Sequence, residues 1–274
     1  MDNRLRIWDL KNLKEIDILT DYVASLTINS IAITPDGSHL VSASTDKMVK
    51  IWDLHSDVNH TNTSKHAAAV TTIAITSNGK NAISAAYNEI AYSEYHGSKN
   101  YANLKIWDLN NYSEIGVLTK YAKHLSAMAF LPDGTHVISA SEENLTIWDF
   151  NTEQELFVMN GHTKRFTTVT ITHDGSQAIS GSEDGILRIW DLKNGTEIGI
   201  LNGHTEWISV VEVASNDLYV VSASYDNSLK VWDLKNKIER YTLSGHSSTV
   251  IAVAITPNGR YSNIPIFPHH KFIF

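Results

Sequence analysis

The chain contains no cysteine. Disulfides, thiolate metal sites and cysteine nucleophiles are therefore excluded, and the composition fits a reducing compartment such as the cytoplasm. No lysine–arginine cluster stands out, and the formal net charge is −8. A protein that reads phosphate backbones ordinarily presents a basic face, so nucleic acid is not the expected partner. No segment approaches the ~20 consecutive apolar residues needed to span a bilayer, so neither a transmembrane helix nor a membrane partner is expected. The opening MDNRLRIWDL has no apolar run behind its charges and does not read as a signal peptide. Helical periodicity and low-complexity linkers are missing as well. So are a glycine-rich phosphate loop and the His-Glu-x-x-His zinc motif, and no cofactor is implied.

What the chain has is repetition. A Trp-Asp pair occurs six times, at Trp8-Asp9, Trp52-Asp53, Trp107-Asp108, Trp148-Asp149, Trp190-Asp191 and Trp232-Asp233. The last four are spaced 41, 42 and 42 residues apart. A fixed period of this length signals stacked units, each covering its neighbour's apolar face. Within residues 161–191, FTTVTIT alternates apolar and polar residues and is rich in β-branched side chains, which predicts a strand. The turn HDG, a second strand QAISGS, the turn EDG and a third strand ILRIWD follow, and TEIGIL after Lys193-Asn194-Gly195 is a fourth. Four short antiparallel strands per ~40 residues are the composition of a propeller blade. The first turn recurs as Pro35-Asp36-Gly37, Ser77-Asn78-Gly79, Pro132-Asp133-Gly134, Ser215-Asn216-Asp217 and Pro257-Asn258-Gly259. A Gly-His pair recurs as Gly203-His204 and Gly245-His246, and in part as Lys65-His66.

With these motifs the chain resembles a WD-repeat β-propeller from residue 2 to about 261, and its wording (AITPDG, VSASTD, LKVWDL) resembles bacterial members most. The resemblance implies an all-β fold of four-stranded antiparallel blades, a single propeller over residues 1–263 and an atypical tail over 264–274. It also implies a polar network in each blade, since a buried indole N–H needs an acceptor. A second-strand serine takes that role, joined by a histidine from the loop before the first strand and an aspartate from the turn between the second and third. Carried onto this sequence, one blade has His162, Ser180, Asp184 and Trp190, and the next has His204, Ser222, Asp226 and Trp232. The Trp52 blade keeps Ser42 and Asp46 but has Ala24 at the histidine position. The Trp107 blade keeps His66 and Ser84 with Asn88 for the acid. The Trp148 blade keeps Ser139, with Glu143 for the acid and Tyr121 for the histidine. Serine, histidine and aspartate together suggest a hydrolase triad, but a trio that recurs and is tied to a tryptophan reads as structural.

The chain starts in mid-blade. Asp2 to Trp8 aligns with Asp184 to Trp190, so the N-terminus supplies third and fourth strands, and the C-terminus supplies IAVAITPNG and the start of a second. Joined, they make six blades with the closing blade shared, a device that removes exposed strand edges. The clasp is imperfect. Elsewhere the serine lies five residues after the turn, whereas Ile264 lies five after Gly259, and Pro265 and Pro268 interrupt the strand. Two expectations stand: a six-bladed ring that is a monomer, or a piece of a larger propeller that self-associates through an open edge.

Recurring networks are support, so recognition falls to residues that differ between blades. Four residues after the glycine of Gly-His, or at the matching position, the units present Thr27, Ala69, His124, Arg165, Trp207 and Thr249, which the alignment places around one mouth of the channel. Trp and Arg are favoured interface anchors, and Trp207 is the only Trp outside a Trp-Asp pair. A 13-residue excess between Gly79 and Trp107 falls within residues 86–102 and carries Tyr87, Tyr92, Tyr95 and Tyr101 with Glu89, Glu94 and His96. Long loops in compact folds are commonly functional, and Tyr suits binding. His66, His96 and His124 have no spacing that fixes a metal site, and His269-His270 is a generic pair. The expected function is a non-enzymatic scaffold binding a protein or peptide on that face. The alternatives are a propeller hydrolase or lyase using His96, His124 and Arg165, or a truncated piece of a larger WD-repeat regulatory protein.

Overall fold

A computed structural model describes residues 5–9, 14–19, 27–55, 65–86, 103–118, 125–141, 144–152, 154–250, 253 and 255. The chain divides into two compact units, residues 1–73 with 79–122, and residues 74–78 with 123–274. Among the described residues there are strands and turns and no helix. None of them therefore forms a helix long and apolar enough to cross a membrane.

The first unit holds a two-stranded sheet of β1 (Leu5–Asp9) and β2 (Lys14–Leu19), and a three-stranded sheet of β3 (Ile28–Ile33), β4 (His39–Ser44) and β5 (Val49–Asp53). The fourth strand expected after Trp52 falls in residues 56–64, outside those described. A four-stranded sheet follows, of β6 (Val70–Ile75), β7 (Asn81–Ala86), β8 (Asn103–Asp108) and β9 (Ser113–Leu118), with the end of β6 assigned to the second unit. The second unit has three four-stranded sheets. They are β10 (Leu125–Phe130), β11 (His136–Ser141), β12 (Leu145–Asp149) and β13 (Gln154–Met159); β14 (Phe166–Ile171), β15 (Gln177–Ser182), β16 (Ile186–Asp191) and β17 (Thr196–Asn202); and β18 (Ile208–Val213), β19 (Tyr219–Ser224), β20 (Ser228–Asp233) and β21 (Ile238–Ser244). Each is a meander in sequence order, with antiparallel register throughout. The closing clasp, with Ile264, Pro265 and Pro268, and most of the 86–102 insertion lie outside the described residues.

Second strands read HLVSAS, HVISAS, QAISGS and YVVSAS, and five of the six residues are buried in each. A strand covered on both faces loses the apolar–polar alternation of a half-exposed one. In β15, Ala178 faces one core and Ile179 the other. The first core joins β10–β13 to β14–β17 through Ile138, Ile147, Met159, Phe166 and Trp190; the second joins β14–β17 to β18–β21 through Ile179, Ile189, Leu201, Val211 and Trp232. Fully burying one aliphatic side chain contributes about 1.5–3 kcal/mol. The sheets of the second unit are therefore held by contact with the neighbour in sequence, as a repeat architecture requires.

A polar peg joins successive first strands. Ser126 Oγ donates to Phe166 O at 2.6 Å, Thr167 Oγ1 to Ile208 O at 2.6 Å and Ser209 Oγ to Val250 O at 2.5 Å. In the first unit Asn29 Nδ2 donates to Val70 O at 2.8 Å. β3 nevertheless keeps an open face. Ile31 is 51% exposed, whereas the equivalent Ile73 and Val211 are 6% and 2% exposed.

Candidate functional site

The support beneath the candidate site is a hydrogen-bonded chain repeated from sheet to sheet. In β14–β17, Trp190 Nε1 donates to Ser180 Oγ at 2.9 Å, and His162 Nε2 lies 2.9 Å from the same oxygen. His162 Nδ1 lies 2.9 Å from Asp184 Oδ2. In β18–β21 the distances are 2.8 Å for Trp232–Ser222, 2.8 Å for His204–Ser222 and 2.7 Å for His204–Asp226. One tautomer satisfies every atom: indole N–H to serine oxygen, serine O–H to Nε2, Nδ1–H to carboxylate. Burial alone would raise the Asp184 carboxyl. The hydrogen bond and charge of His162 and the backbone N–H groups of Ile186 and Thr163 outweigh it and hold the group at about 2. Asp226 is likewise held at about 2, through Ser228, His204 and Thr205. Ser180 and Ser222 are completely buried and accept an indole N–H, so each serine is sealed beneath its tryptophan.

The other sheets hold partial versions. Trp52 donates to Ser42 at 2.8 Å, Trp107 to Ser84 at 2.8 Å and Trp148 to Ser139 at 3.0 Å. Asp46 Oδ1 accepts the Met48 backbone N–H at 2.9 Å. His66 Nε2 lies 2.7 Å from Ser84 Oγ, but His66 Nδ1 is buried without a partner. Burial and then the charge of Lys105 push His66 down to about 4. Ala24, Asn88, Tyr121 and Glu143 lie outside the described residues.

The aspartate of each Trp-Asp pair has a separate task. Asp108 Oδ1, Asp149 Oδ1 and Asp191 Oδ1 each accept backbone N–H groups of the following turn at 2.8–3.3 Å, building the link to the fourth strand. The fourth strand carries a glutamate opposite Trp107, Trp148, Trp190 and Trp232: Glu114, Glu155, Glu197 and Glu239. Three of these glutamates pair with a third-strand cation two residues before the tryptophan. Lys105–Glu114 is 2.7 Å and Lys230–Glu239 is 2.8 Å, and Arg188 pairs with Glu197. The spacing of this Lys/Arg, Trp and Glu set was open to sequence inspection and went unread. It also explains the glycine of Gly-His. A Cβ on Gly161 would stand 2.9 Å from the Trp190 ring and 3.0 Å from Glu197, and one on Gly203 2.8 Å from Glu239 and 3.1 Å from Trp232.

Above this support, two loops meet in each unit. The Thr45 backbone N–H donates to Thr27 O at 2.9 Å, that of Glu183 to Arg165 O at 3.0 Å and that of Tyr225 to Trp207 O at 2.9 Å. In these three sheets the loop before the first strand and the turn between second and third thus open on one side. Three of the five expected rim residues that are described acquire a second residue 18 positions on: Thr27 with Thr45, Arg165 with Glu183, Trp207 with Tyr225. Trp207 is 41% exposed and Tyr225 43%, with ring centroids 5.7 Å apart and planes at 32°. Thr27 and Thr249 are exposed, while Arg165 and Ala69 are half-buried. The turn bearing Glu183 abuts the loop bearing Trp207, because a Cβ on Gly185 would stand 3.1 Å from Glu206 O and 3.2 Å from His204 O. Gly185 also has φ +78°, so two demands meet at one glycine. His124, Tyr92, Tyr95 and His96 lie outside the described residues.

The model of the WD domain, G-beta repeat family matches residues 16–53, 113–149, 153–191, 195–233 and 238–266. The chain belongs to this family. The matched segments pass over residues 54–112, yet β6–β8 there carry the same tryptophan, serine and histidine arrangement. Comparison with curated proteins finds no match.

Proposed function

We propose that the protein is a non-enzymatic interaction scaffold that binds a protein or peptide on the rim carrying Trp207, Tyr225, Arg165 and Glu183. Family membership supports the general role, since WD repeats mediate protein–protein contacts. The observation that carries the site is the contrast between two layers. The tryptophan–serine bond is the same in five sheets, while the paired positions above it change from Thr/Thr to Arg/Glu to Trp/Tyr. Invariant support beneath variable pairs is what a rigid frame displaying a specific surface requires. Exposed aromatic and Arg residues are the side chains that most often anchor such interfaces. Thr27, Thr249, His124, Tyr92 and Tyr95 are further candidate partner contacts in this reading.

The test is peptide display against the intact chain, followed by affinity measurement with Trp207→Ala and Tyr225→Ala. Loss of a central interface anchor lowers affinity about tenfold or more. Selected peptides that bind both variants as well as the parent would refute the rim assignment.

The same reading takes six blades, the closing one shared between the β1–β2 hairpin and the residues after Gly245, in a cytoplasmic monomer. Light scattering during gel filtration should give a mass near 30.5 kDa. A dimer or a ladder of masses would show instead that an edge is shared between chains.

A further inference from the structure

The variable rim of the second unit has a definite chemistry. Trp207 and Tyr225 are both exposed and lie side by side, with ring centroids 5.7 Å apart. Glu206 is exposed next to Trp207, and the Glu183 turn meets the backbone of His204 and Glu206 through Gly185. Beneath the aromatic pair, Asp226 is ionised and held by a buried histidine that burial keeps neutral in spite of its acid. Asp184, beneath the Glu183 turn, is ionised as well and lies 2.9 Å from the buried side chain of His162. Against these four carboxylates the same loops carry two cations, Lys164 and Arg165. The local balance is negative, in a chain whose net charge is −8.

We propose that the Trp207–Tyr225 pair is a seat for a cationic side chain, Arg or Lys, projecting from an extended segment of a partner protein. This rests on the rim reading above and deepens it. A cation over an indole or phenol face is attracted by the ring quadrupole. The carboxylates of Glu206 and Glu183 supply charge of the right sign at the edge of the seat. An acidic segment would meet that charge with repulsion. An apolar one would gain the ring surface but nothing from the net negative charge of these loops. The equivalent pairs in two other sheets, Thr27/Thr45 and Arg165/Glu183, offer no aromatic face, so among these three described pairs the seat is particular to β18–β21.

The experiment uses the full chain and five pools of immobilised octapeptides that differ only in a fixed central residue: Arg, Lys, Gln, Leu or Glu. Retention of labelled protein is read for the parent, for Trp207→Ala and for Trp207→Phe, after confirming that melting is unchanged. The parent should be retained on the Arg and Lys pools about fivefold more than on the others, Trp207→Ala should lose most of that advantage, and Trp207→Phe should keep part of it. Because Trp207→Ala leaves every charge in place, attraction by net charge alone would persist in the variant and would overturn the proposal. Trp207-dependent retention on the Leu, Gln or Glu pools would overturn the cationic seat while leaving the rim reading intact. Retention that depends on Trp207 in no pool would overturn both.

Discussion

The sheet β6–β9 and the sheet β18–β21 are built on the same plan and differ at one polar group. In β18–β21 the histidine reaches an acid, and His204 lies 2.7 Å from Asp226. In β6–β9 the corresponding nitrogen of His66 is buried with no partner, and Asn88 stands 22 residues on, where Asp226 stands relative to His204. Burial lowers both histidines. A lysine lowers each further (Lys230, Lys105) and a glutamate opposes it (Glu239, Glu114), but only at His204 does a hydrogen-bonded acid, Asp226, offset the burial. The acid is therefore what completes the network, and its absence leaves one sheet with a stored cost of about 1–3 kcal/mol, the usual penalty for an orphaned buried polar group.

The largest expected effect is at the centre of the complete network. Ser222→Ala removes the acceptor of Trp232 and the partner of His204 Nε2 at once, both within a buried site. Two orphaned groups should lower stability by about 2–5 kcal/mol, read by urea unfolding monitored by tryptophan fluorescence. A loss under about 1 kcal/mol would mean that the network is ornamental to stability.

Acid should separate the two sheets. His66 is lowered from 6.5 to about 4, so the folded state binds its proton less readily than the unfolded chain. Its contribution is complete above pH 6.5 and is lost as pH falls towards 4, a swing of about 3 kcal/mol. Asp184 and Asp226 are lowered from 3.8 to about 2, so their contribution is complete above 3.8 and fails only between there and 2. His204 loses stability in the same sense as His66 but less, since Asp226 opposes its burial. Hydrogen exchange corrected for intrinsic rates should show β7 and β8 losing protection between pH 6.5 and 4 ahead of β19 and β20. Equal loss in both sheets would sever the link between the missing acid and acid sensitivity.

Much of this comparison was legible in the sequence. The Trp-Asp period located every third strand, and the turn glycines located each network serine five residues on. Asp217 takes the glycine place in one turn with φ +54°, and its carboxylate accepts the backbone N–H groups of His173 and Asp174. What stayed hidden depends on pairing across loops rather than on period. Tyr225 and Glu183 become rim residues only because a backbone hydrogen bond sets each beside Trp207 or Arg165. Trp207 is distinctive within its own repeat, whereas Tyr225 stands out only once that hydrogen bond sets it beside Trp207. The pairing of Lys105 with Glu114 went unread for a similar reason: a register shift at each tryptophan displaces the fourth strand, so simple alternation does not bring the two together.

First strands offer a further contrast. Where β3, β10 and β14 carry Ala32, Ala129 and Thr170, β18 carries Glu212, whose carboxyl is pushed up to about 7 by burial, against a small opposing pull from His173. A carboxyl raised from 4.5 is tolerated while protonated, and stability is lost as pH rises through the window from 4.5 to 7. Glu212→Gln should therefore raise stability by about 1–3 kcal/mol at pH 8.5 and change it little at pH 4.5. An equal gain at both pH values would point to packing rather than charge.

The smallest effect is the most direct on the opening comparison. Asn88→Asp places an acid 22 residues after His66, the spacing of His162 to Asp184 and His204 to Asp226. If that spacing is what completes a network, the new carboxylate should take the orphaned Nδ1–H and raise the His66 pKa from about 4. The net gain near pH 7 should be about 1 kcal/mol, because a new hydrogen bond to a charged group is offset in part by desolvating it. The reciprocal Asp226→Asn should lower the His204 pKa further and make β18–β21 as acid-sensitive as β6–β9. The two changes test one claim from opposite sides, and histidine titration by NMR reads both. If Asn88→Asp leaves His66 where it is while Asp226→Asn shifts His204, sequence spacing alone does not bring residue 88 to the network. The insertion that follows residue 86 would then have displaced the turn, which ties the incomplete network of this sheet to its extra loop.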